Sequence, residues 1–259
     1  MEVDIKFDKP LYNLGEVAEM ICGDSENEKA RFVASKLLNF NDFKQIPKTD
    51  FYLSGKYKDL EHYIIKSADY RGVINYNNEI KSDEYDKLLS KMERDRKIIP
   101  INSFSYLKID NYITYSNIRM VDFEEFYRSF RTYIEHHLYF SLQNVLDDIN
   151  TKLFRAGFEE CFAYSLIKYS GMVGEVDGIK NLFTKSKDTS RITFLERLVA
   201  EEGSVNIYDF SSDLKELNNI DYPPRAILYD INSTNTKMYY NDETEKIYKN
   251  KNKFFEEIL

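Results

Sequence analysis

Leu11-Tyr12-Asn13-Leu14-Gly15-Glu16-Val17-Ala18-Glu19-Met20-Ile21 sets the reading of this chain. An aromatic residue and a short turn with Gly15 lead into a segment whose Val17, Ala18 and Ile21 recur at helical spacing. The spacing predicts a helix over Leu14 to Ile21 with one buried face. Gly23-Asp24-Ser25 then reads as a turn, and Ser25 with Glu28 three places on has the form of a capping box. A second helix is expected over Glu26 to Asn39, with Ala30, Val33, Ala34, Leu37 and Leu38 inward. Ile46-Pro47 breaks it. Phe51-Tyr52-Leu53 reads as a short strand, Ser54-Gly55 as a turn, and Lys58 to Ser67 as another helix.

Working outward, Val3, Ile5 and Phe7 alternate in an extended lead that Pro10 ends. Ser82 to Lys97 reads as a charged surface helix closed by Pro100. Ser103 to Tyr115 alternates as one or two strands. Val121 to Ala156 is the longest helical pattern, and Glu159 to Tyr169 and Ile192 to Glu202 are further helices. Beyond Asp221-Tyr-Pro-Pro224, a hairpin is expected from Ala226 to Ile231 and Lys237 to Tyr240 around Asn232 to Asn235, before a Lys-rich helical tail. The sequence shows no internal repeat. The expected fold is mainly α with small β elements (α+β): a helix-turn-helix-like module over residues 1–80, and a helical body with short strands and a C-terminal β-hairpin over residues 81–259.

The 259 residues are 42% hydrophobic and 31% charged, which excludes a disordered chain and allows a sizeable core. Tyr (21) and Phe (18) are plentiful while Trp is absent, a mix that an AT-rich genome encodes. No window approaches the roughly 18 to 20 apolar residues of a membrane span, so no membrane contact is expected. Met1 to Lys6 lacks a basic region followed by an apolar one, and the expected location is cytoplasmic, or a virion if the protein is a virus component. Cys22 and Cys161 read as separate reduced, partly buried thiols. Asp147-Asp148 and Glu159-Glu160 read as solvated charges, and Gly171 to Gly178 lacks the Lys-Ser/Thr of a phosphate loop. No metal site and no cofactor are expected.

Tyr12 to Ile21 resembles the first helix of MerR-type and excisionase-type winged helix-turn-helix domains. Tyr57-Lys-Asp59-Leu60-Glu-His-Tyr-Ile64 sits where that family carries a Tyr-x-x-x-Asp-Leu-x-x-Ile pattern, so the resemblance covers residues 10–66. It implies that the second helix lies in the major groove of DNA. From Lys29 to Lys58 the chain carries Lys29, Arg31, Lys36, Lys44, Lys48, Lys56 and Lys58 against Asp42 and Asp50, a local net of +5. These seven residues are the expected DNA contacts. The chain departs from the family in its acidic Asp24-Ser-Glu-Asn-Glu28 entry and in having Arg31-Phe32 where the family carries Thr/Ser-x-Arg-Tyr. The plain alternative is an ordinary helical hairpin with solvated charges.

Arg131-Thr-Tyr-Ile-Glu-His136-His137 resembles the Arg-x4-His motif of HEPN-type ribonucleases. That resemblance implies Arg131 steadying a phosphate and His136 moving a proton. The structural reading is a long amphipathic helix burying Phe123, Phe126, Phe130, Ile134, Leu138, Leu142, Val145 and Leu146, with Arg131 and His136 about 140° apart around it. The first expectation is therefore a non-enzymatic DNA-binding or DNA-associated protein, with a protein partner or a homo-oligomer. The second is a phage or virus structural or assembly protein of the connector or adaptor type. The third is the metal-independent ribonuclease.

Overall fold

A computed structural model describes residues 5–77, 80, 82–109, 117–185, 189–233 and 236–258; of Leu217, Asn218 and Ile258 it describes the backbone only. Contacts divide the chain into two compact units. The first comprises residues 1–100 with 104–115, and the second residues 101–103 with 116–259. The sequence divides the chain at 80/81, within a range of residues 70–102; the contacts first change unit at 100/101.

The first unit opens with β1 (Leu11–Asn13), α1 (Leu14–Cys22) and α2 (Glu28–Phe40), then β2 (Phe43–Gln45), β3 (Phe51–Ser54) and α3 (Leu60–Lys66). The strands form an antiparallel sheet in the order β1-β3-β2. Asn13 ends β1 and caps α1 at once, its side chain accepting from the Gly15 amide. The cap of α2 is Asn27, which accepts from Ala30, and not the Ser25 box expected from the sequence. Tyr12 fixes the lead: its hydroxyl accepts from the Asp8 and Lys9 amides and donates to the Asp8 carboxylate.

The same unit continues with β4 (Val73–Asn75), α4 (Asp83–Arg94), β5 (Ile98–Asn102, whose last two residues are counted with the second unit) and β6 (Ser105–Lys108), again ordered first-third-second as β4-β6-β5. Leu11, Ile46, Leu53 and Ile64 share one core with Ile74, Tyr85, Leu89 and Met92, so the two halves of this unit are packed as one body. The expected strand residues Tyr112, Ile113 and Tyr115 lie outside the described residues.

The second unit begins with α5 (Met120–Glu135). It then runs through β7 (Tyr139–Ser141), α6 (Leu142–Asp148), α7 (Glu160–Lys168), β8 (Gly174–Glu175), β9 (Leu182–Thr184) and α8 (Arg191–Glu202). It ends with β10 (Ser204–Asn206), α9 (Ile207–Asn218), α10 (Pro224–Ser233), β11 (Tyr239–Asn241), β12 (Lys246–Tyr248) and α11 (Lys251–Ile258). The sheets are ordered β7-β9-β8 and β10-β12-β11. One core runs from Val176 and Leu182 through Phe194 and Leu198 to Ile227 and Ile247. Tyr139, Phe194 and Phe210 meet edge to face or tilted within it.

All four sheets therefore have one topology: strand, helical segment, strand, strand, with the last strand in the middle. In each, the last residue of the first strand faces the first paired residue of the third: Asn13 with Phe51, Asn75 with Ser105, Ser141 with Leu182, Asn206 with Lys246. Positions 13, 75, 141 and 206 are 62, 66 and 65 residues apart. The chain carries a fourfold structural repeat, two copies per unit, where the sequence reading found none.

These sheets correct the mainly-α expectation. The fold is mixed α/β, about 50% helix and 17% strand, with eleven helices among the described residues. The continuous helix expected over Val121 to Ala156 is broken: α5 stops at Glu135, β7 follows, and Ser141 with Asn144 forms a capping box that starts α6 afresh. Ala226 to Ile231 is helix α10, not a strand, and buries Ile227, Asp230 and Ile231. The C-terminal hairpin is β11 and β12, turning at 242–245.

Candidate nucleic-acid interface

Helix α2 is built with two unlike faces. Ala30, Ala34 and Leu38 are buried, and the two alanines let it approach α1 closely. Around them pack Tyr12, Val17, Phe43 and Tyr52, and the Ser35 hydroxyl is 2.8 Å from that of Tyr52. On the opposite side stand Lys29, Phe32, Val33, Lys36 and Phe40. At about 100° per residue these five fall within one sector of about 100°. The apolar members are well out in solvent: Phe32 65%, Val33 44% and Phe40 89% exposed. Val33 was expected inward. Lys36 stands over the Phe32 ring, 5.4 Å from its centroid.

The seven basic residues singled out from the sequence do not share one face. Arg31 is half-buried and committed: its guanidinium lies 2.5 Å from the Asp50 carboxylate and donates to the Ser25 carbonyl at 3.2 Å. It ties α2 to the β2–β3 connection and is not in the outward sector. Lys29 and Lys36 are. Lys44, on β2, is opposite Leu53, and directly paired residues point to the same side of a sheet. Leu53 packs into the core shared with the second copy, so Lys44 belongs to that side. Lys48, at the turn, has φ of 62° and reaches Glu84 in the first turn of α4 at 3.0 Å. Lys56 and Lys58 are exposed between β3 and α3, with Lys56 on the same cleft as Asn41 just past α2. Among the described residues Lys29, Lys36, Lys44, Lys56 and Lys58 make no ion pair.

The sequence reading missed two features. Of the exposed aromatics of α2, Phe32 enters the sequence reading only as a departure from a family pattern and Phe40 does not enter it. Helix α4 was read as a charged surface helix, although its spacing alone puts Lys87, Lys91 and Arg94 in one row. Glu84 lies beside that row, and the Lys48 ammonium, then Lys87, hold its carboxyl below the usual carboxylate range.

Arg131 and His136 are both exposed. Arg131 is in the last turns of α5, while His136 is the residue that ends the helix. The buried face of α5 is Phe123, Phe126, Phe130 and Ile134, while Leu142 and Val145, expected on the same helix, are buried on α6 beyond β7. Cys22 is exposed and Cys161 half-buried, neither in a disulfide, so only Cys161 is partly buried as expected.

In the second unit a polar knot faces an open cleft of about 600 Å³. Glu175 accepts from the Tyr164 hydroxyl at 2.7 Å, from Lys168 at 3.0 Å and from the Asn181 amide at 2.9 Å. Burial opposes the charge on Lys168, but its bonds to Tyr164 and Glu175 prevail and hold its pKa above the usual lysine value. Burial pushes the Tyr164 hydroxyl up to about 12. The three groups satisfy one another, which fits a structural role. Among the described residues no group of three or more His, Cys, Asp or Glu could hold a metal ion, and no helix is long and apolar enough to cross a membrane. No protein-family model matches the chain, and no curated protein is significantly similar to it.

Proposed function

We propose that the first unit binds duplex DNA through the outward sector of α2, as a winged helix-turn-helix with β2 and β3 as its wing. The observation that carries this reading is the sector itself: two lysines that make no ion pair among the described residues and three exposed apolar side chains, within about 100° of a helix packed on a three-stranded sheet. Lys29 and Lys36 contact phosphates, and Phe32, Val33 and Phe40 supply apolar contact to base edges such as thymine methyls. The acidic Glu26 and Glu28 favour the positive end of the helix, which leaves the middle and far end of α2 as the reading part.

The test is anisotropy titration of a labelled duplex of about 20 base pairs by the full chain across a range of salt. The wild type is expected to bind with a steep salt dependence. K29E/K36E is expected to lose about tenfold or more in affinity and to flatten the slope of log K against log salt by about 2, near 0.9 for each phosphate contact. A wild type that does not bind, or that binds without salt dependence, overturns the reading.

A second reading rests on Phe40 and Phe32, whose exposure is unusual for a helix facing only water. Here α2 docks against a protein partner. F32A/F40A then abolishes association with that partner while K29E/K36E weakens it little, the reverse of the DNA outcome.

A further inference from the structure

In the first unit the lead before β1, the α2–β2 junction and the segment after β3 line a cleft of about 700 Å³. That volume is in the range of small-molecule sites. The chain itself holds the frame in place. The Ser54 amide donates to the Pro10 carbonyl at 2.9 Å, which ties the end of β3 to the lead. The Tyr12 hydroxyl holds the lead at the Asp8 and Lys9 amides. The Gly55 amide donates to the Asp42 carbonyl at 2.6 Å, which joins the segment after β3 to the start of β2. A Cβ at Gly55 would come within 2.1 Å of the Asp42 carboxylate, so any side chain there would have to displace it.

Charge on this cleft is uneven. Among the described residues its lining carries Lys6, Lys9 and Lys56 against the carboxylate of Asp8. Lys9 pairs with Glu16, and one oxygen of Asp8 accepts from the Tyr12 hydroxyl at 2.9 Å. Lys6 and Lys56 are exposed and make no ion pair among the described residues. Cations gathered on one concave surface concentrate a positive potential in it. Ser54 adds a donor: its hydroxyl oxygen accepts from the Lys56 amide at 3.4 Å, and among the described residues its own proton has no acceptor. The remaining lining is aromatic. Phe7 meets Phe43 with ring centroids 5.6 Å apart, and Tyr57 is half-buried.

We infer that this cleft binds a small phosphate-bearing ligand of nucleotide size, its phosphate taken by Lys6, Lys56 and the Ser54 hydroxyl and its flat body by the rings of Phe7 and Tyr57. The inference stands apart from the reading of α2. Two uncommitted ammonium groups match a phosphate, with roughly two negative charges at neutral pH, better than a carboxylate with one. Hydrogen bonds from cations to such oxygens are the strong ones. The volume exceeds what a bare phosphate fills, and the aromatic lining gives the rest of the ligand an apolar surface to stack on.

The experiment is calorimetric titration of the full chain with AMP, GMP, CMP and UMP in turn. At least one is expected to bind saturably below about 1 mM. The matching nucleoside, which lacks the phosphate, is expected to bind about tenfold or more weakly. K6Q/K56Q is expected to lose about tenfold or more in affinity for the nucleotide, whereas K29E/K36E, altered on α2, stays within about twofold of wild type. The site is overturned if none of the four binds, if nucleoside and nucleotide bind alike, or if K6Q/K56Q binds as the wild type does. A loss in K29E/K36E equal to that in K6Q/K56Q also overturns it, since the phosphate then sits on α2. Far-ultraviolet circular dichroism and the melting temperature check the fold. Should the double variant misfold, K56Q alone is expected to weaken nucleotide binding about threefold, and no change there counts against the site.

Discussion

Asp230 shows what a single buried charge does in this molecule. It is 5% exposed, on α10, with the Tyr222 hydroxyl 2.8 Å from one oxygen and Arg191 3.1 Å from the other. Burial, and then the bond to Asp230, hold the Tyr222 hydroxyl well above its ordinary pKa. D230A is expected to destabilise the second unit by about 1–3 kcal/mol, because a buried hydroxyl loses its acceptor. D230N, which keeps an acceptor, is expected to cost less, and urea unfolding compares the two. Glu175 carries a pH-dependent share of stability. Burial raises its pKa, but the Asn181 amide, Tyr164 and Lys168 outweigh burial and hold it below the usual 4.5. A carboxyl lowered in the folded state contributes stability above its unfolded pKa and loses it as pH falls through the folded value. E175Q is therefore expected to be less stable than wild type near pH 7, with the gap closing below about pH 4.5. A gap that stays constant down to pH 3 contradicts this.

Among the elements, the strand-to-helix junction is the recurring device. Asn13, Ser141 and Asn206 each end a strand and immediately cap a helix, and Asn206 accepts from two amides, those of Tyr208 and Asp209. N206A is expected to cost about 1 kcal/mol in chemical denaturation, the usual worth of such a cap, and N13A about the same. The third copy has a different second helix: α7 buries Phe162, Ala163, Ser165, Leu166 and Ile167 and has no outward sector like that of α2. Exposed faces in the other copies differ in charge as well. Helix α10 presents Arg225 and Tyr229, but the turn of the β11–β12 hairpin is Asp242-Glu243-Thr244-Glu245, which repels phosphate.

At the scale of the whole molecule, charge divides as the units do. Residues 1–115 carry 18 Lys and Arg against 20 Asp and Glu, and residues 116–259 carry 18 against 24. Two observations favour the first unit for the proposed contacts: among the described residues Lys29 and Lys36 of α2 make no ion pair, and the turn of the fourth copy is acidic. R225E in the full chain is accordingly expected to leave duplex affinity within about twofold of wild type, at a salt where K29E/K36E loses tenfold or more. A loss from R225E equal to that from K29E/K36E, in the same titration, contradicts a contact confined to the first unit.

Local elements were legible because their causes lie within a few residues. Val17, Ala18 and Ile21 at helical spacing place α1, Phe51-Tyr52-Leu53 gives β3, and the α5 face of Phe123, Phe126, Phe130 and Ile134 is a periodic pattern. The basic run from Lys29 to Lys58 could be counted, but its division between α2, the Asp50 ion pair and the α4 side could not. That division depends on which strand lies opposite Lys44 and which helix lies beneath Lys48. The fourfold topology was decided only in three dimensions. Its strands are mostly three residues long, too short to show alternation. Each first strand pairs with a third strand 30 or more residues away, so the partner that makes it a strand is invisible locally.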